Sequence, residues 1–389
     1  MDFNQIVRIG KKSIMKKSKT IVKIMISGYY GFNNFGDEAI LKSMVRAFKE
    51  KIPQIKILVL SQNPVHTSQT YQVKAINRLH LVSILNCLRD TNLFISGGGG
   101  LLQDSTGKGW SILYYLGLIL GAKIIRVPVM IYAQGIGPIN QQINKKLMRW
   151  ILNKVDLITV RDNFSKELLE NLGVVKPSIY VNSDPSFLLN KKNINCILEN
   201  YPHIQELMNS DNRPIIGVSV REYKGNRSDL KIMFAQLADY LIEKYKVKIV
   251  FLPFKFDDDV QVSEEILSLM KNQADILKIK LEPEELISIL SKFSLMIGVR
   301  LHSIIFSSMA NLPFIAFKYD PKVKNFVAEL GLSELLLELD NVSLEKIQEK
   351  IEYIRENKDR IKEVLSEKVK GLKEKALINN NLVFKLLKI

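Results

Sequence analysis

The run from Gly298 to Ile304 places an arginine and a histidine where an apolar strand is predicted to give way to a helix. The first peptide N–H groups of a helix have no intrahelical partner and lie at the positive end of its dipole, so an anion binds favourably there. Arg300 adds positive charge, and His302 supplies a side chain that carries a proton near neutral pH. The alternative is structural: Arg300 pairs with a carboxylate and His302 caps a turn.

Cationic residues follow directly on the ends of four predicted strands, at Arg161, Arg221, Arg300 and Lys322. In open α/β sheets the functional residues gather beyond the carboxyl ends of the strands, so these side chains are expected to converge. Arginine binds carboxylates and phosphates through two parallel hydrogen bonds, whereas lysine acts as a point charge. The pattern predicts a site for a small dianion or trianion, although any single one of these residues could instead lie on the surface.

Three glycine-rich turns also follow predicted strands, and they span residues 28–38, 96–104 and 134–138. Glycine lets a ligand approach the backbone closely. The first turn has neither the lysine of a phosphate-binding loop nor the spacing of a dinucleotide-binding turn. Its Asp37 either caps the following helix or orients or deprotonates a sugar hydroxyl. Carboxylates and carboxamides pair well with hydroxyl groups, so the candidate sugar-binding residues are Asn33, Asn34, Asp37, Gly98, Gly99, Gln103, Asp104 and Gln134.

Metal and serine-nucleophile chemistry find little support in the sequence. The four histidines are scattered and form no H-E-x-x-H motif, and no G-x-S-x-G turn is present. The run from Asp257 to Asp259 could bind a divalent ion, but a solvated loop is the favoured interpretation. We therefore expect neither a metal nor a cofactor.

A formal net charge of +16 implies attraction to polyanions or to an anionic membrane. No motif of a nucleic-acid-binding family accompanies this charge, so nucleic acid is not expected as a partner. Residues 1–20 are basic but lack the apolar core of a signal peptide. We expect a cytoplasmic protein, and the basic leader is either a solvated tail or a loose peripheral contact with the inner face of the cell membrane.

Two further features bear on the compartment. Cys87 and Cys196 form no C-x-x-C pair and are predicted to be buried thiols in a reducing environment. The apolar run from Trp110 to Gly121 is too short to span a bilayer and predicts a buried helix.

Apolar strands alternate with helical patterns along the whole chain, which is typical of α/β proteins with parallel sheets. A chain of 389 residues exceeds one ordinary core, and an Asn- and Lys-rich segment after Asp184-Pro185-Ser186-Phe187 predicts a linker. We therefore predict a basic leader (1–20), an N-terminal Rossmann-like domain (21–190) and a C-terminal Rossmann-like domain (191–389) that closes with amphipathic helices after Ser343. The two domains are expected to face each other across a cleft.

Seven motifs, in order, resemble those of the polysaccharide pyruvyl transferases: GYYGFNNFGDEAIL, SGGGGLLQD, QGIGP, DPSF, VSVRE, GVRLHS and YDPKV. The closest resemblance is to the CsaB type, which is linked to S-layer anchoring. It implies a GT-B fold and transfer of pyruvyl from phosphoenolpyruvate to a sugar as a 4,6-ketal. The implied acceptor is a terminal β-N-acetylmannosamine on a lipid-diphosphate-linked disaccharide, a precursor of secondary cell wall polymer.

The family's R-L-H arginine and histidine fall on Arg300 and His302, its strand-end arginine on Arg221 and its Y-D-P-K lysine on Lys322. Lys255 departs from the family pattern, since relatives often carry histidine or glutamine there. We predict His302, Asp37, Arg300 and Lys322 as catalytic residues, with His302 delivering or relaying a proton to the donor. The predicted phosphoenolpyruvate-binding residues are Arg161, Arg221, Lys255, Arg300, His302 and Lys322.

Two other functions stay open on the sequence alone. The first is a nucleotide-sugar glycosyltransferase of the same fold in cell-wall polysaccharide synthesis. The second is a non-catalytic basic protein that binds cell-wall polyanion or membrane.

Overall fold

The computed structural model describes residues 21–105, 110–209, 211–222 and 228–389, and the basic leader lies outside these ranges. Within them the chain forms two parallel β-sheets, each covered by helices. This arrangement confirms the predicted α/β class with two Rossmann-like domains.

The first sheet has seven strands in the order β3-β2-β1-β4-β5-β6-β7. Every neighbouring pair is parallel. The strand order reverses between β1 and β4, which is where open sheets of this kind bind ligands. The strands are β1 (Lys23–Ser27), β2 (Lys56–Ser61), β3 (Lys74–Asn77), β4 (Leu93–Ser96), β5 (Val129–Gln134), β6 (Leu157–Val160) and β7 (Ser178–Val181).

The second sheet has six strands in the order β10-β9-β8-β11-β12-β13, again all parallel. Its order also reverses next to the first strand, between β8 and β11. The strands are β8 (Ile215–Ser219), β9 (Lys248–Phe251), β10 (Asp275–Ile276), β11 (Leu295–Gly298), β12 (Phe314–Lys318) and β13 (Leu336–Glu338).

Helices connect the strands and cover both faces of the sheets. In the first domain α3 to α6 lie on one face, whereas α1 lies on the other. The helices are α1 (Phe35–Lys51), α2 (Pro64–Tyr71), α3 (Leu81–Leu88), α4 (Trp110–Ile124), α5 (Gln142–Leu152), α6 (Asn163–Asn171), α7 (Ile194–Asn200), α8 (Pro202–Asn209), α9 (Ser228–Tyr245), α10 (Phe256–Leu267), α11 (Pro283–Leu290), α12 (Leu301–Ala310), α13 (Pro321–Glu329), α14 (Leu344–Glu356) and α15 (Lys358–Leu386).

The final helix, α15, is shared between the two halves of the chain. Its first turns pack Ile361 and Leu365 into the core of the second domain. Its last turns place Leu382, Val383 and Phe384 in the core beneath the first sheet. Residues far beyond the predicted linker at residues 190–193 therefore complete the N-terminal domain.

The structure contains three short strands that the sequence patterns do not indicate: β3, β10 and β13. All three lie at sheet edges. In addition, β10 and β13 are only two and three residues long. Edge strands need no continuous apolar run, because one side of the strand has no neighbour to pair with. Periodicity therefore detects the central strands better than these.

Several local predictions are corrected. The α4 helix is not wholly buried, because Trp110 and Ile124 are largely exposed. Cys196 is exposed, and Cys87 is half-buried at the margin of the first-domain core, so neither is the fully buried thiol that the sequence predicts. The run from Asp257 to Asp259 forms the first turn of α10 rather than a solvated loop. None of the described helices is long and apolar enough to cross a membrane.

Candidate functional site

A cleft of about 690 Å³ lies between the two domains at the carboxyl ends of their strands. The domains are linked beside it by backbone hydrogen bonds. The amide of Phe35 donates to the carbonyl of Phe254 (2.8 Å), and the amide of Phe256 donates to the carbonyl of Asn33 (3.0 Å). The turn after β1 and the turn after β9 thus form one continuous wall of the cleft. The predicted site residues that line it are Asn34, Asp37, Gly99, Gln103, Arg161, Arg221, Lys255, Arg300, His302 and Lys322.

Three cations of the second domain surround Tyr319, which follows β12. The guanidinium carbon of Arg221 lies 4.4 Å from the centre of the tyrosine ring, and Nζ of Lys322 lies 5.5 Å from it. Burial raises the pKa of Tyr319, but the charges of Lys322, Arg221 and Arg300 outweigh burial and lower it overall. The field at this end of the cleft therefore favours an anion.

Arg300 is also part of a buried ion pair, as its structural interpretation predicts. Its guanidinium binds both carboxylate oxygens of Asp259, through Nε at 2.8 Å and through Nη2. The same carboxylate accepts hydrogen bonds from the amides of Phe254 and Lys255. Asp259 is fully buried, so this pair fixes Arg300 and the turn after β9 together. Arg300 still lines the cleft, and its charge is partly offset.

His302 lies at the meeting point of two helix starts. Its ring packs so closely on Gly36 of α1 that a Cβ at that position would overlap Nδ1. Nε2 of His302 is buried, lies 3.5 Å from Oδ2 of Asp184, and forms no hydrogen bond with the described residues. His302 therefore does not merely cap a turn, and the contact to Gly36 explains why the first turn of α1 contains a glycine.

Asp184 joins His302 to Arg161. Its Oδ2 lies 3.5 Å from Nη1 of Arg161, and its Oδ1 accepts hydrogen bonds from the amide and hydroxyl of Ser186. Burial alone would raise the pKa of Asp184, but His302 and Arg161 hold it well below its usual range. The carboxylate is thus charged at neutral pH and faces the imidazole of His302.

Asp37 behaves differently. Burial raises the pKa of its carboxyl to about 8, with help from the charges of Glu38 and Asp184 and against those of Lys322 and Arg161. The carboxyl is held against the turn after β4, where a Cβ at Gly99 would lie 2.6 Å from Oδ1. Asp37 is therefore largely protonated near neutral pH and can donate a hydrogen bond or a proton. Asn34, not Asp37, caps α1, because its side chain accepts from the amide of Gly36.

Four of the predicted sugar-binding residues do not line the cleft. Gln134 is fully buried and donates to Ser96 and to the carbonyl of Gly97. Asp104 accepts hydrogen bonds from the amides of Asn140 and Gln141 and from Asn144, which anchors the turn before α5. Gln134 ends β5 and Asp104 follows β4, but both side chains are engaged by groups of neighbouring loops rather than turned to the cleft.

The other two are held by packing and by domain contact. Gly98 lies against Ile40, where even a Cβ would be 2.9 Å from the nearest methyl group. Asn33 has a positive φ of 54° and donates through Nδ2 to Asp257 of the second domain (3.1 Å). Asn33 therefore joins the two domains rather than contributing to the cleft surface.

Sequence reasoning missed several residues at the cleft. The sequence patterns place Asp184 only in a motif before the predicted linker and Tyr319 only in the Y-D-P-K run, and they assign neither residue a role. Tyr29 also lines the cleft and stacks on Phe32, with ring centres 3.9 Å apart. Asp184 follows β7 by three residues. Polar residues shortly after a strand are the pattern that indicates the other cleft residues, so the same pattern could have indicated Asp184.

The chain is similar in sequence to a known protein family. The model of the polysaccharide pyruvyl transferase family matches residues 34–321, well over half of the chain. The chain belongs to the polysaccharide pyruvyl transferase family. A relative of this family member is the amylovoran biosynthesis protein AmsJ of Erwinia amylovora, which is 20% identical over 94% of this chain and 99% of its own length.

Solved structures similar to this pyruvyl transferase family member confirm the GT-B-like fold. A UDP complex of MnaA from S. aureus superposes with a TM-score of 0.65 at 14% identity, covering 95% of this chain and 98% of its own. A UDP-GlcNAc 2-epimerase from Neisseria meningitidis gives a TM-score of 0.62 at 15% identity, covering 95% and 100%. At these identities the likeness concerns the fold alone.

Proposed function

We propose that this protein transfers the pyruvyl group of phosphoenolpyruvate to two hydroxyls of one sugar, forming a cyclic 4,6-ketal and releasing phosphate. The observation that carries the proposal is the grouping of Arg221, Arg300 and Lys322 around Tyr319 in the cleft that also contains His302. Phosphoenolpyruvate carries one carboxylate and one phosphate, so several cations are needed to bind it. Family membership supports the same class of reaction.

The proposed reaction accounts for every proton and for the leaving phosphate. A proton adds to the methylene carbon of the donor, which becomes a methyl group, and the neighbouring carbon gains cation character. One sugar hydroxyl attacks that carbon, phosphate leaves with the electrons of its C–O bond, and the second hydroxyl closes the ring. One hydroxyl proton replaces the proton taken up by carbon, and the other leaves on phosphate. No redox step occurs, and the chain's own cations suffice to stabilise the leaving phosphate, so we propose that no cofactor is required.

We assign the roles by position and charge. Protonated His302, stabilised by Asp184, delivers or relays the proton to the donor. Arg221, Arg300 and Lys322 hold the donor and stabilise the departing phosphate, and Arg161 and Lys255 line the same cleft. Asp37, protonated near neutral pH, orients an acceptor hydroxyl by donating to it and can exchange a proton with it. The second domain is then the donor side and the first domain the acceptor side.

For the acceptor we propose a terminal β-N-acetylmannosamine on a lipid-diphosphate-linked disaccharide, in the synthesis of secondary cell wall polymer that anchors S-layer proteins. The motif resemblance to the CsaB type supports this choice. Tyr29 and Gln103, which line the cleft on the acceptor side, provide an apolar and a polar contact for a pyranose ring.

The test is incubation of the protein with phosphoenolpyruvate and the lipid-diphosphate disaccharide, followed by mass spectrometry of the sugar and measurement of released phosphate. We expect the sugar to gain the mass of one pyruvyl ketal for each phosphate released. His302→Gln should lower turnover about 10²- to 10⁴-fold, whereas His203→Gln, at a surface position outside the cleft, should not. A ketal on a galactose acceptor alone would keep the chemistry and discard the proposed pathway.

A thermal-shift series separates the alternatives. Phosphoenolpyruvate should raise the melting temperature of the wild-type protein, and Arg221→Met should remove most of that rise. A rise with UDP-sugars and none with phosphoenolpyruvate would instead support a nucleotide-sugar glycosyltransferase. No phosphate release with any acceptor would leave a non-catalytic binding protein.

A further inference from the structure

Neighbouring helices on one face of the first domain expose an apolar surface. The α3 helix and the residues before it expose Leu79, Leu81, Val82 and Leu85, and α4 exposes Trp110 and Leu113. The two helices are adjacent, because Tyr114 of α4 donates to the carbonyl of Arg78 (2.6 Å), just before α3. Monomeric soluble proteins rarely expose contiguous patches of this kind without a partner.

The next helix, α5, adds both apolar and basic groups to this face. Ile143, Lys146 and Trp150 fall at the spacing of one helical stripe, Lys154 follows two residues after the helix, and all four are exposed. Nζ of Lys154 lies 5.0 Å from the centre of the Trp150 ring. We call the exposed residues of α3, α4 and α5 the docking face.

The charge of the docking face has one sign. The three helices α3, α4 and α5 carry four basic residues and no acidic one. The acidic residues that follow α3 and α5 are paired, Asp90 with Lys23 and Asp156 with Lys123. Apolar side chains flanked by lysine and arginine, with tryptophan among them, are typical of surfaces that bind at a membrane interface.

Both tryptophans of the chain lie on this face. Trp110 is 73% exposed and Trp150 is 52% exposed. Tryptophan is usually well buried in a soluble protein, but it is enriched at the interface between lipid and water. Trp110 also precedes Ser111 and Tyr115, which line the cleft, so the docking face leads directly to the candidate site.

We propose that the docking face binds the surface of an anionic lipid membrane. Its apolar side chains enter the headgroup region, and the basic residues of α5 contact lipid phosphates. A second copy of the chain fits less well, because the three helices of this face carry no acidic residue that could pair with the lysines and arginine of α5 in a self-complementary contact. The use of this contact to present a lipid-borne acceptor to the cleft rests on the proposed function, whereas the membrane contact itself does not.

The experiment uses the intrinsic fluorescence of the two tryptophans together with vesicle co-sedimentation. Vesicles of phosphatidylcholine with phosphatidylglycerol should shift the emission to shorter wavelength and sediment the protein, whereas phosphatidylcholine alone should do so much less. Trp110→Phe and Trp150→Phe, each leaving one reporter, should show the shift at both positions. Added salt should weaken binding without abolishing the apolar part.

Paired variants provide the control. Val82→Gln with Leu85→Gln removes apolar side chains that are 68% and 45% exposed, and should weaken vesicle binding about tenfold. Ile232→Gln with Leu269→Gln alters side chains of similar exposure, 45% and 49%, on the second domain and should leave binding unchanged. Unchanged tryptophan emission on anionic vesicles would overturn the proposal. So would a concentration-dependent shift without vesicles, since it would show that a second copy covers the face.

The two proposals fail separately. If the Val82 and Leu85 variant transfers pyruvyl to a water-soluble acceptor normally but to a vesicle-borne acceptor poorly, both stand. Transfer without any vesicle binding would overturn the membrane contact alone. Vesicle binding without transfer to any acceptor would overturn the proposed function alone.

Discussion

At the scale of single residues, the cleft contains two carboxyl groups with opposite properties. Asp184 is charged because His302 and Arg161 face it, whereas Asp37 is held largely protonated by burial. Pairs of groups whose environments move their pKa values apart are typical of sites that transfer protons. The distinction assigns Asp184 to positioning His302 and Asp37 to direct contact with the acceptor.

Asp184→Asn tests the positioning role. We expect turnover to fall about 10- to 100-fold, as for other residues that orient a catalytic group, because the amide no longer stabilises a protonated His302. The KM for phosphoenolpyruvate should change much less, since Asp184 faces the imidazole rather than the cationic cluster. Steady-state kinetics with phosphate release as the readout separates the two effects.

Asp162→Asn is the matched control for that variant. Asp162 also lies near Arg161, at 3.7 Å from Nε, but it caps α6 and does not contact His302. Asparagine caps a helix about as well as aspartate. Equal losses of turnover in the two variants would show that the contact to His302 is not what matters at Asp184.

Asp37→Asn tests the raised pKa through stability. The native carboxyl keeps its proton up to about pH 8, whereas the unfolded chain loses it near the ordinary aspartate pKa of 3.8. The unfolded state therefore binds fewer protons between these values, and this group makes the wild-type protein less stable as pH rises, by about 1.4 kcal/mol per pH unit. The amide removes that dependence.

The measurement is chemical denaturation of both proteins from pH 5 to pH 8. The free energy of unfolding of Asp37→Asn minus that of the wild type should increase steadily across this range. A difference that stays constant with pH would mean that Asp37 titrates as an ordinary carboxylate.

At the scale of elements, the site depends on how closely α1 of the first domain approaches α12 of the second. Gly36 makes this approach possible, since any side chain there would overlap the ring of His302. The hydrogen bonds between the turns after β1 and β9 also hold the two domains close together beside this contact. Small changes in these turns should therefore affect catalysis more than folding.

Gly36→Ala tests this contact. Its Cβ should displace His302 and lower turnover by about 10²-fold or more, since a misplacement of about 1 Å can cost that much. The melting temperature should change little, because α1 keeps its Asn34 cap. Kinetics and thermal unfolding of the same preparation provide both readouts.

Gly371→Ala serves as the comparison. Gly371 lies within α15, and a Cβ there would meet nothing within 4 Å. This substitution should stabilise the protein by roughly 0.5–1 kcal/mol and leave turnover unchanged. A fully active Gly36→Ala protein would contradict the proposed close contact with His302.

At the scale of the whole molecule, α15 makes the two domains dependent on each other. Asn379 on this helix donates to the carbonyl of Ser183, and the hydroxyl of Ser183 donates to the carbonyl of Leu372. Asn380 accepts a hydrogen bond from Tyr132 of β5 (2.6 Å). The last helix thus holds the segment that carries Asp184, although it is distant in sequence.

Phe384→Ala tests this dependence. The ring is buried against Phe48, which in turn packs on Tyr132 on the underside of the first sheet. Its loss should cost roughly 3–5 kcal/mol of stability, which is the usual range for a buried phenylalanine. Leu377→Ala, on an exposed position of the same helix, should cost less than about 1 kcal/mol. Equal effects on denaturant unfolding would show that the last turns of α15 do not complete the first core.

The α/β class, the central strands and the cationic residues of the cleft could all be predicted from the sequence. The motifs after Ile21 identified the family by resemblance, and their cationic residues could be expected to converge because the carboxyl ends of parallel strands lie close together. Arg221, Arg300, His302 and Lys322 could be found in this way, since each follows its strand by only a few residues. The CsaB subtype and the identity of the acceptor sugar stay predictions.

Which polar residues are engaged away from the cleft, and which elements cross between domains, depends on the folded chain. Gln134 ends a strand and Asp104 follows one, but the Gln134 amide nitrogen donates to loop carbonyls and the Asp104 carboxylate accepts from loop amides. The contacts of Asp184 with His302, and of α15 with the first sheet, join residues more than one hundred positions apart. Periodicity and local spacing describe the neighbours along the chain, whereas burial, pKa and ion pairing depend on neighbours in space.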